Sequence, residues 1–224
     1  MSLDVIIGLQ RGDEGKGRFV DLEAANYDIV ARANGGSNAG HTVIPNDTGE
    51  HLALHQVPSG VAYEGKLNVI GSGVYLDPER LAEEIADIKS SGLKVTPDNL
   101  KISMGAHLVL PHHKILDEIR ENGDGAQGST KAGISFVAAD KYLREGARFE
   151  IINRPDELKE RIIKGLKIAY EKSGQKVTDT EIDKKADEWI KTATSFKPFM
   201  TDTTALVNGK IKDGKRILAE GAQA

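Results

Sequence analysis

The residues best equipped for chemistry sit near the N-terminus, in "GLQRGDEGKGRF" at positions 8–19, where Gly8, Gly12, Gly15 and Gly17 surround Asp13, Glu14 and Lys16. Glycines let backbone N–H groups approach an anion closely, and a lysine among them suits phosphate. The spacing departs from the common G-x-x-x-x-G-K-[ST] loop. Gly17 follows Gly15-Lys16 where a hydroxyl is usual, and Arg11 stands four residues before Gly15. Two carboxylates beside a phosphate repel it unless a divalent cation lies between them. On its own the segment reads either as a nucleotide cradle or as a glycine turn with solvated charges. A second loop, "GGSNAGHT" at 35–42, brings amide, imidazole and hydroxyl together. There Asn38 can bind a phosphate or a base edge, and His41 can donate a proton or stabilise charge.

Such loops need strands to carry them. "DVIIGLQ" is a short apolar run ending in glycine, and "YDIVARANGG" (27–36) and "KLNVIGSGV" (66–74) repeat the arrangement. Three strand-to-glycine-loop transitions predict an α/β fold, a mostly parallel sheet with flanking helices that is P-loop-like, with its working loops along one edge. Between the last two runs, alternating segments around Pro45 to Gly49 predict a β-hairpin. "LDPERLAEEIADIKSSG" predicts a helix capped by Asp77, started by Pro78, buried through Leu81, Ile85 and Ile88, and stopped at Gly92. "NLKISMGAHLVLPHHKILDEIREN" reads as one or two strands and then a helix with Ile115 and Ile119 on a common face. Residues 123–135 read as a glycine-rich loop. Amphipathic helices follow at about 155–173 and 180–194, a helical insertion spanning about 155–196 within a single α/β domain over 1–224. "RILAEGAQA" reads as a strand entering a glycine turn, so that the sequence looks cut rather than finished.

Composition narrows the function classes. The 224 residues carry a formal charge of −4, which argues against a general nucleic-acid or anionic-membrane binder. Any anion must be bound locally. There are no cysteines, which removes disulfides and thiolate metal sites. No apolar run approaches the ~20 residues that span a bilayer, and the N-terminus lacks the pattern of a secretory signal. A cytoplasmic protein is expected.

The order of "GDEGKG", "GGSNAGHT", "VPSG", "IGSGV", "GST" and "EGAQ" resembles the N-terminal half of adenylosuccinate synthetases, from about residue 4 to the last residue. The resemblance implies a homodimeric enzyme of purine biosynthesis that couples IMP to L-aspartate, with GTP as co-substrate and Mg2+ as cofactor. Asp13 would be the base that deprotonates N1 of the hypoxanthine, so that O6 attacks the γ-phosphate of GTP. His41 would be the acid partner, and Lys16 would hold phosphate. Gly12, Glu14, Gly15, Lys16, Gly17, Gly40, His41 and Thr42 would form the GTP cradle. Asp13 and the Gly40 carbonyl would ligate magnesium. Asn38 and Thr130 would contact the monophosphate, Gln223 would hold the base near Asp13, and Arg144 would reach into the neighbouring subunit's site.

Three departures from the family pattern stand out: Arg11 replaces a tryptophan, Ser135 and Phe136 alter a loop that ends Gly-Ile-Gly-Pro, and Ala224 replaces a glycine. The family's aspartate loop and guanine-recognising residues lie beyond this chain, so the expectation is that 1–224 alone is inactive or nearly so. Two other readings stay open: a relative acting on another purine monophosphate, and a truncated paralogue that binds a purine nucleotide without catalysis. The neighbours His112 and His113 suggest a metal, but adjacent side chains point to different faces in regular structure. His51, His55 and His107 lie on strand-like stretches and read as structural.

Overall fold

The computed structural model describes residues 2–10, 15–44, 51–124 and 126–222. Its strands are β1 (Ser2–Ile6), β2 (Ile29–Gly36), β3 (His41–Val43), β4 (Leu52–Leu54), β5 (Leu67–Leu76), β6 (Leu100–Ser103), β7 (His107–Leu108), β8 (Met200–Thr201) and β9 (Arg216–Glu220). Its α-helices are α1 (Lys16–Ala24), α2 (Pro78–Ser90), α3 (Pro111–Glu121), α4 (Ile134–Leu143), α5 (Pro155–Ser173), α6 (Asp179–Ser195) and α7 (Thr203–Lys212).

Among the described residues the main sheet has the order β1-β9-β2-β5-β6-β8, with β7 continuing beside the end of β5. Every pairing in it is parallel. The chain's last strand therefore lies between its first two, in register Ile6↔Glu220 and Arg32↔Glu220. A strand so placed is buried on both faces, and Ile217 and Leu218 are indeed inaccessible. One face packs Val20 and Ala24 of α1 on Val30 and Leu218. The opposite face packs Leu206, Val207 and Ile211 of α7 on Ile29, Val69 and Ile217. The antiparallel β3–β4 pair is the expected hairpin; its expected turn, Pro45 to Gly49, lies outside the described residues.

The helix expectations hold where capping and a stripe coincide. Asp77 accepts from the Arg80 N–H, and Leu81, Ile85 and Ile88 are buried. Helices α5 and α6 turn Leu158, Ile162 and Leu166 and Ile182, Ala186 and Trp189 into the main core, close to the predicted limits.

Two expectations need correction. "KLNVIGSGV" is not a strand ending in a glycine loop: β5 runs on through Gly71 and Gly73 to Leu76. A Cβ at these glycines would meet the carbonyl oxygens of Arg32 and Ala33 at 2.8 and 2.2 Å. They let β2 approach where its register slips between Arg32 and Asn34. The second correction concerns residues 134–135, which belong to α4 rather than to the loop before it. This helix and α7 fully bury one residue each, Val137 and Thr203, and α7 meets the sheet through the half-buried Leu206, Val207 and Ile211.

Candidate functional site

A cleft of about 620 Å3 opens at the carboxyl ends of β9 and β2, between the N-terminus of α1 and the segment leading into β3. Ligands of parallel α/β sheets bind at such strand ends. Gly15, in the left-handed region at φ 74°, caps α1, and the first turn of that helix lines the cleft. Lys16, Arg18 and Arg32 bring positive charge to the lining, Asn38 to Thr42 form a second wall, and Glu220 to Ala222 form the floor.

The two glycine loops touch. A Cβ on Gly17 would lie 2.6 Å from His41 Cβ, so the position where phosphate loops usually carry Ser or Thr has no room for a side chain. The imidazole takes that space. Its Nδ1 lies 3.1 Å from Arg32 Nη1. A guanidinium has donors only, so Nδ1 accepts and the ring proton resides on Nε2. Burial, foremost, lowers the pKa of His41; Glu220 acts against that shift and Arg32 reinforces it. The ring is therefore held neutral, with Nε2–H buried and unpartnered among the described residues.

Arg32 is itself buried, at 3% exposure. Its counter-charge is Glu220, whose Oε1 lies 3.8 Å from Nη1 and 3.9 Å from His41 Nε2. The other oxygen, Oε2, accepts from Ser59 Oγ–H at 2.8 Å and from the Ser59 backbone N–H at 3.3 Å. "VPSG" thus acquires a physical role. Ser59 holds Glu220, and Gly60 has no space for a Cβ, which would lie 2.6 Å from Val30 Cγ2 and Asn68 Oδ1. The segment before it is fixed by Glu84 of α2, a buried carboxylate that accepts from the backbone N–H groups of His55, Gln56 and Val57 at 2.8–3.0 Å. Beyond β9, Gly221 N–H donates to Ile6 O and Ala222 N–H to Asn34 Oδ1, both at 2.8 Å, which ties the floor to β1 and β2.

The structure therefore brings together Gly15, Lys16, Gly17, Asn38, Gly40, His41 and Thr42 from the expected set. Asn38 also lines a neighbouring cleft of about 750 Å3 that contains Thr130, Arg80 and Lys114, so the two expected monophosphate contacts share a surface. Arg144 lies apart, in a cleft with Lys141, Arg148 and Arg161; it ends α4 at φ 63°, a left-handed conformation that a non-glycine residue seldom adopts. Gly12, Asp13, Glu14 and Gln223, with the departures Arg11 and Ala224, fall outside the described residues. Arg32, Ser59 and Glu220 were not anticipated. Their signals were a charged residue inside the apolar run "DIVARA" and two polar residues within "VPSG" and "EGAQ".

The expected separation of His112 and His113 is not what the structure shows. Their ring centroids are 4.2 Å apart, and Asp140 joins them within 4.8 Å. The reason is that they occupy the first turn of α3, where successive side chains diverge by about 100° rather than 180°. The hydrogen bonds still argue against a metal. His113 Nδ1 accepts from the Leu110 N–H at 3.0 Å, so its proton is on Nε2, 3.0 Å from Asp140 Oδ2. A metal at Nε2 would have to displace that proton while Nδ1 kept its acceptor role.

A parallel α/β sheet with a cationic, glycine-walled cleft at its strand ends defines a protein of the nucleotide- or phosphate-binding class. The sequence profile of adenylosuccinate synthetase matches residues 5–224. This chain belongs to the adenylosuccinate synthetase family. It is 43% identical over 229 residues to the adenylosuccinate synthetase of Clostridium botulinum (strain 657 / Type Ba4), covering 100% of this chain and 53% of the relative. With that of Caldicellulosiruptor saccharolyticus it shares 43% over 227 residues, covering 98% and 51%. The solved structure of fully ligated adenylosuccinate synthetase from Plasmodium falciparum superposes with a TM-score of 0.84 at 30% identity, over 99% of this chain and 51% of that one. A cyanophage S-2L succinoaminodeoxyadenylate synthetase, bound to dGMP and dATP, has the same fold at a TM-score of 0.61 and 20% identity, over 99% and 51%. The chain spans about half the length of the curated relatives it matches.

Proposed function

We propose that this chain supplies the nucleotide-activating half of a GTP-dependent ligase that joins IMP and L-aspartate through 6-phosphoryl-IMP in purine biosynthesis, acting in the cytoplasm as a homodimer. The observation that carries the proposal is the packing of the Gly15–Gly17 loop on His41 across one cationic cleft. Phosphoryl transfer demands mainly positioning and positive charge about the equatorial oxygens. The α1 N-terminus and Lys16 meet that demand for the phosphates of GTP. His41 donates Nε2–H to a phosphate oxygen as charge develops there.

Asp13 removes the N1 proton of the hypoxanthine, which raises electron density on O6 for attack on the γ-phosphorus. Gln223 orients the base against it, with Asn38 and Thr130 on the monophosphate. Arg144 serves the neighbouring subunit. The donor set suits a hard cation: Gly40 and Thr42 line the cleft with a carbonyl and a hydroxyl to offer, Glu220 has a buried carboxylate oxygen with no hydrogen-bond partner among the described residues, and the chain has no thiolate. Asp13 and the Gly40 carbonyl would hold magnesium, which offsets the negative charge of the phosphates. Among the described residues no helix is long and apolar enough to cross a membrane.

Calorimetric titration of residues 1–224 with GTP and with IMP, each with magnesium, tests the reading. Wild type is expected to bind both, Lys16→Ala is expected to weaken GTP by about tenfold or more, and no binding of either nucleotide would overturn it. An absorbance assay for adenylosuccinate with IMP, aspartate and GTP is expected to show no turnover until the remaining half of a full-length relative is supplied.

A further inference from the structure

We infer that Arg32, braced by Glu220, is a positioning residue that fixes His41 as its Nε2–H tautomer and aims that N–H at the phosphate groups of a nucleotide in the cleft. The inference rests on the nucleotide reading above and deepens it.

Four observations carry it. Arg32 Nη1 is 3.1 Å from His41 Nδ1, and an arginine cannot accept a hydrogen bond, so the contact selects one of the two neutral tautomers. In an unconstrained imidazole either nitrogen can carry the proton. Second, the brace does not consume the group it prepares. Glu220 Oε1 stands 3.9 Å from His41 Nε2, beyond hydrogen-bond range. Third, the brace is anchored from outside the loops: Ser59 gives two donors to Glu220 Oε2, and Ser59 follows the segment that Glu84 holds through three backbone amides. Fourth, the stem that carries the ring is held in place. Its Cβ lies against Gly17, and its backbone is paired with Leu54 across the hairpin.

A buried arginine is an expensive way to hold one imidazole, because its charge must be compensated. A lone apolar residue would pack the strand at lower cost. What the guanidinium adds is a donor that no protonation change near neutral pH removes. The buried carboxylate compensates it without intercepting the Nε2 proton. A donor fixed before the nucleotide arrives needs no reorganisation during phosphoryl transfer.

The test uses the 224-residue chain labelled with 15N-histidine. Long-range proton–nitrogen spectra at neutral pH are expected to show His41, assigned by its loss in His41→Asn, with an unprotonated Nδ1 and a protonated Nε2. Arg32→Met is expected to give a mixture of tautomers and to weaken GTP binding by about tenfold to a hundredfold. Arg32→Lys, which keeps a donor-only cation, is expected to restore the tautomer. If Arg32→Met does not fold, the wild-type and Arg32→Lys spectra decide. Wild-type His41 protonated on Nδ1, or a tautomer unchanged in folded Arg32→Met, overturns the inference. Failure of the wild-type chain to bind any nucleotide, with His41 still protonated on Nε2, would instead overturn the nucleotide reading and leave the positioning contact standing.

Discussion

Replacing Gly17 with alanine tests the packing on which the cleft depends. The added Cβ would lie 2.6 Å from His41 Cβ, 3.4 Å from its Cα and 3.6 Å from its Cγ. Carbon atoms pack at about 3.5–4.0 Å, so the neighbour must retreat by roughly 1 Å. His41 cannot do so cheaply, since Arg32 holds its ring and β4 holds its backbone. The start of α1 must move instead. Overpacking of this kind costs about 1–3 kcal/mol, which for a chain of this size lowers Tm by roughly 3–10 °C. It also shifts the Lys16 amide against His41, and GTP affinity should fall by about tenfold, by analogy with other losses of oriented hydrogen bonds to charge. The control is Gly209→Ala in α7, where a Cβ meets nothing within 4 Å and helix propensity predicts a gain of about 0.5–1 kcal/mol. Thermal melts followed by circular dichroism, with calorimetric GTP titration, measure both variants. A Gly17→Ala chain that melts with wild type and binds GTP equally would refute the contact between the loops.

Glu84→Ala leaves three N–H groups, two of them buried, without their acceptor and should cost about 3–5 kcal/mol in urea unfolding, whereas Glu84→Gln keeps an oxygen acceptor and should lose less. His112 is half-buried, with an Nδ1 that is buried and has no hydrogen-bond partner among the described residues, and burial lowers its pKa from 6.5 to about 4. Since its neutral form is preferred in the folded state, the associated stability is present above pH 6.5 and is lost as pH falls toward about 4. That amounts to about 3 kcal/mol, and His112→Phe should flatten this part of the stability profile. Asp140 is held below the ordinary carboxylate range by its hydrogen bond from His113, so its contribution persists above that range and disappears on stronger acidification; Asp140→Asn should remove that limb. Arg144→Gly relieves a left-handed residue at φ 63° and should raise stability by up to about 1 kcal/mol while weakening any function that needs the charge, which melting and GTP-dependent assays separate.

The sheet was legible because β1, β2, β5 and β9 carry short apolar runs with glycine within or just beyond them, and α2, α5 and α6 were legible because capping residues coincide with an apolar stripe. Helices α4 and α7 were not, since each fully buries only one residue, and the half-buried side chains of α7 owe their place to the sheet beneath them. The role of Gly71 and Gly73 could not be read either, for it depends on β2 carbonyls that become neighbours only on folding. Within the cleft the glycine loops announced themselves by spacing. Arg32 and Glu220 did not, because 188 residues separate them and their relation is set by the insertion of β9 beside β2. The expected separation of His112 and His113 failed because it treated a helical step as though it reversed direction.

The insertion of β9 between β1 and β2 also orders events during synthesis. Ile6 is paired with a residue made roughly 210 positions later, a delay of about 10–40 s at ordinary ribosomal speeds. Until that strand emerges, β1 and β2 have no shared neighbour and Arg32 lacks its counter-charge. Nucleotide therefore cannot guide the early stages of assembly; it can act only on a sheet already closed. Leu3 and Val5, exposed at 51% and 56% on the sheet's outer strand even afterwards, are adhesive throughout that interval. Chaperone demand in a translating cell should accordingly rise when the codons for β9 are slow, and fall when β9 arrives promptly.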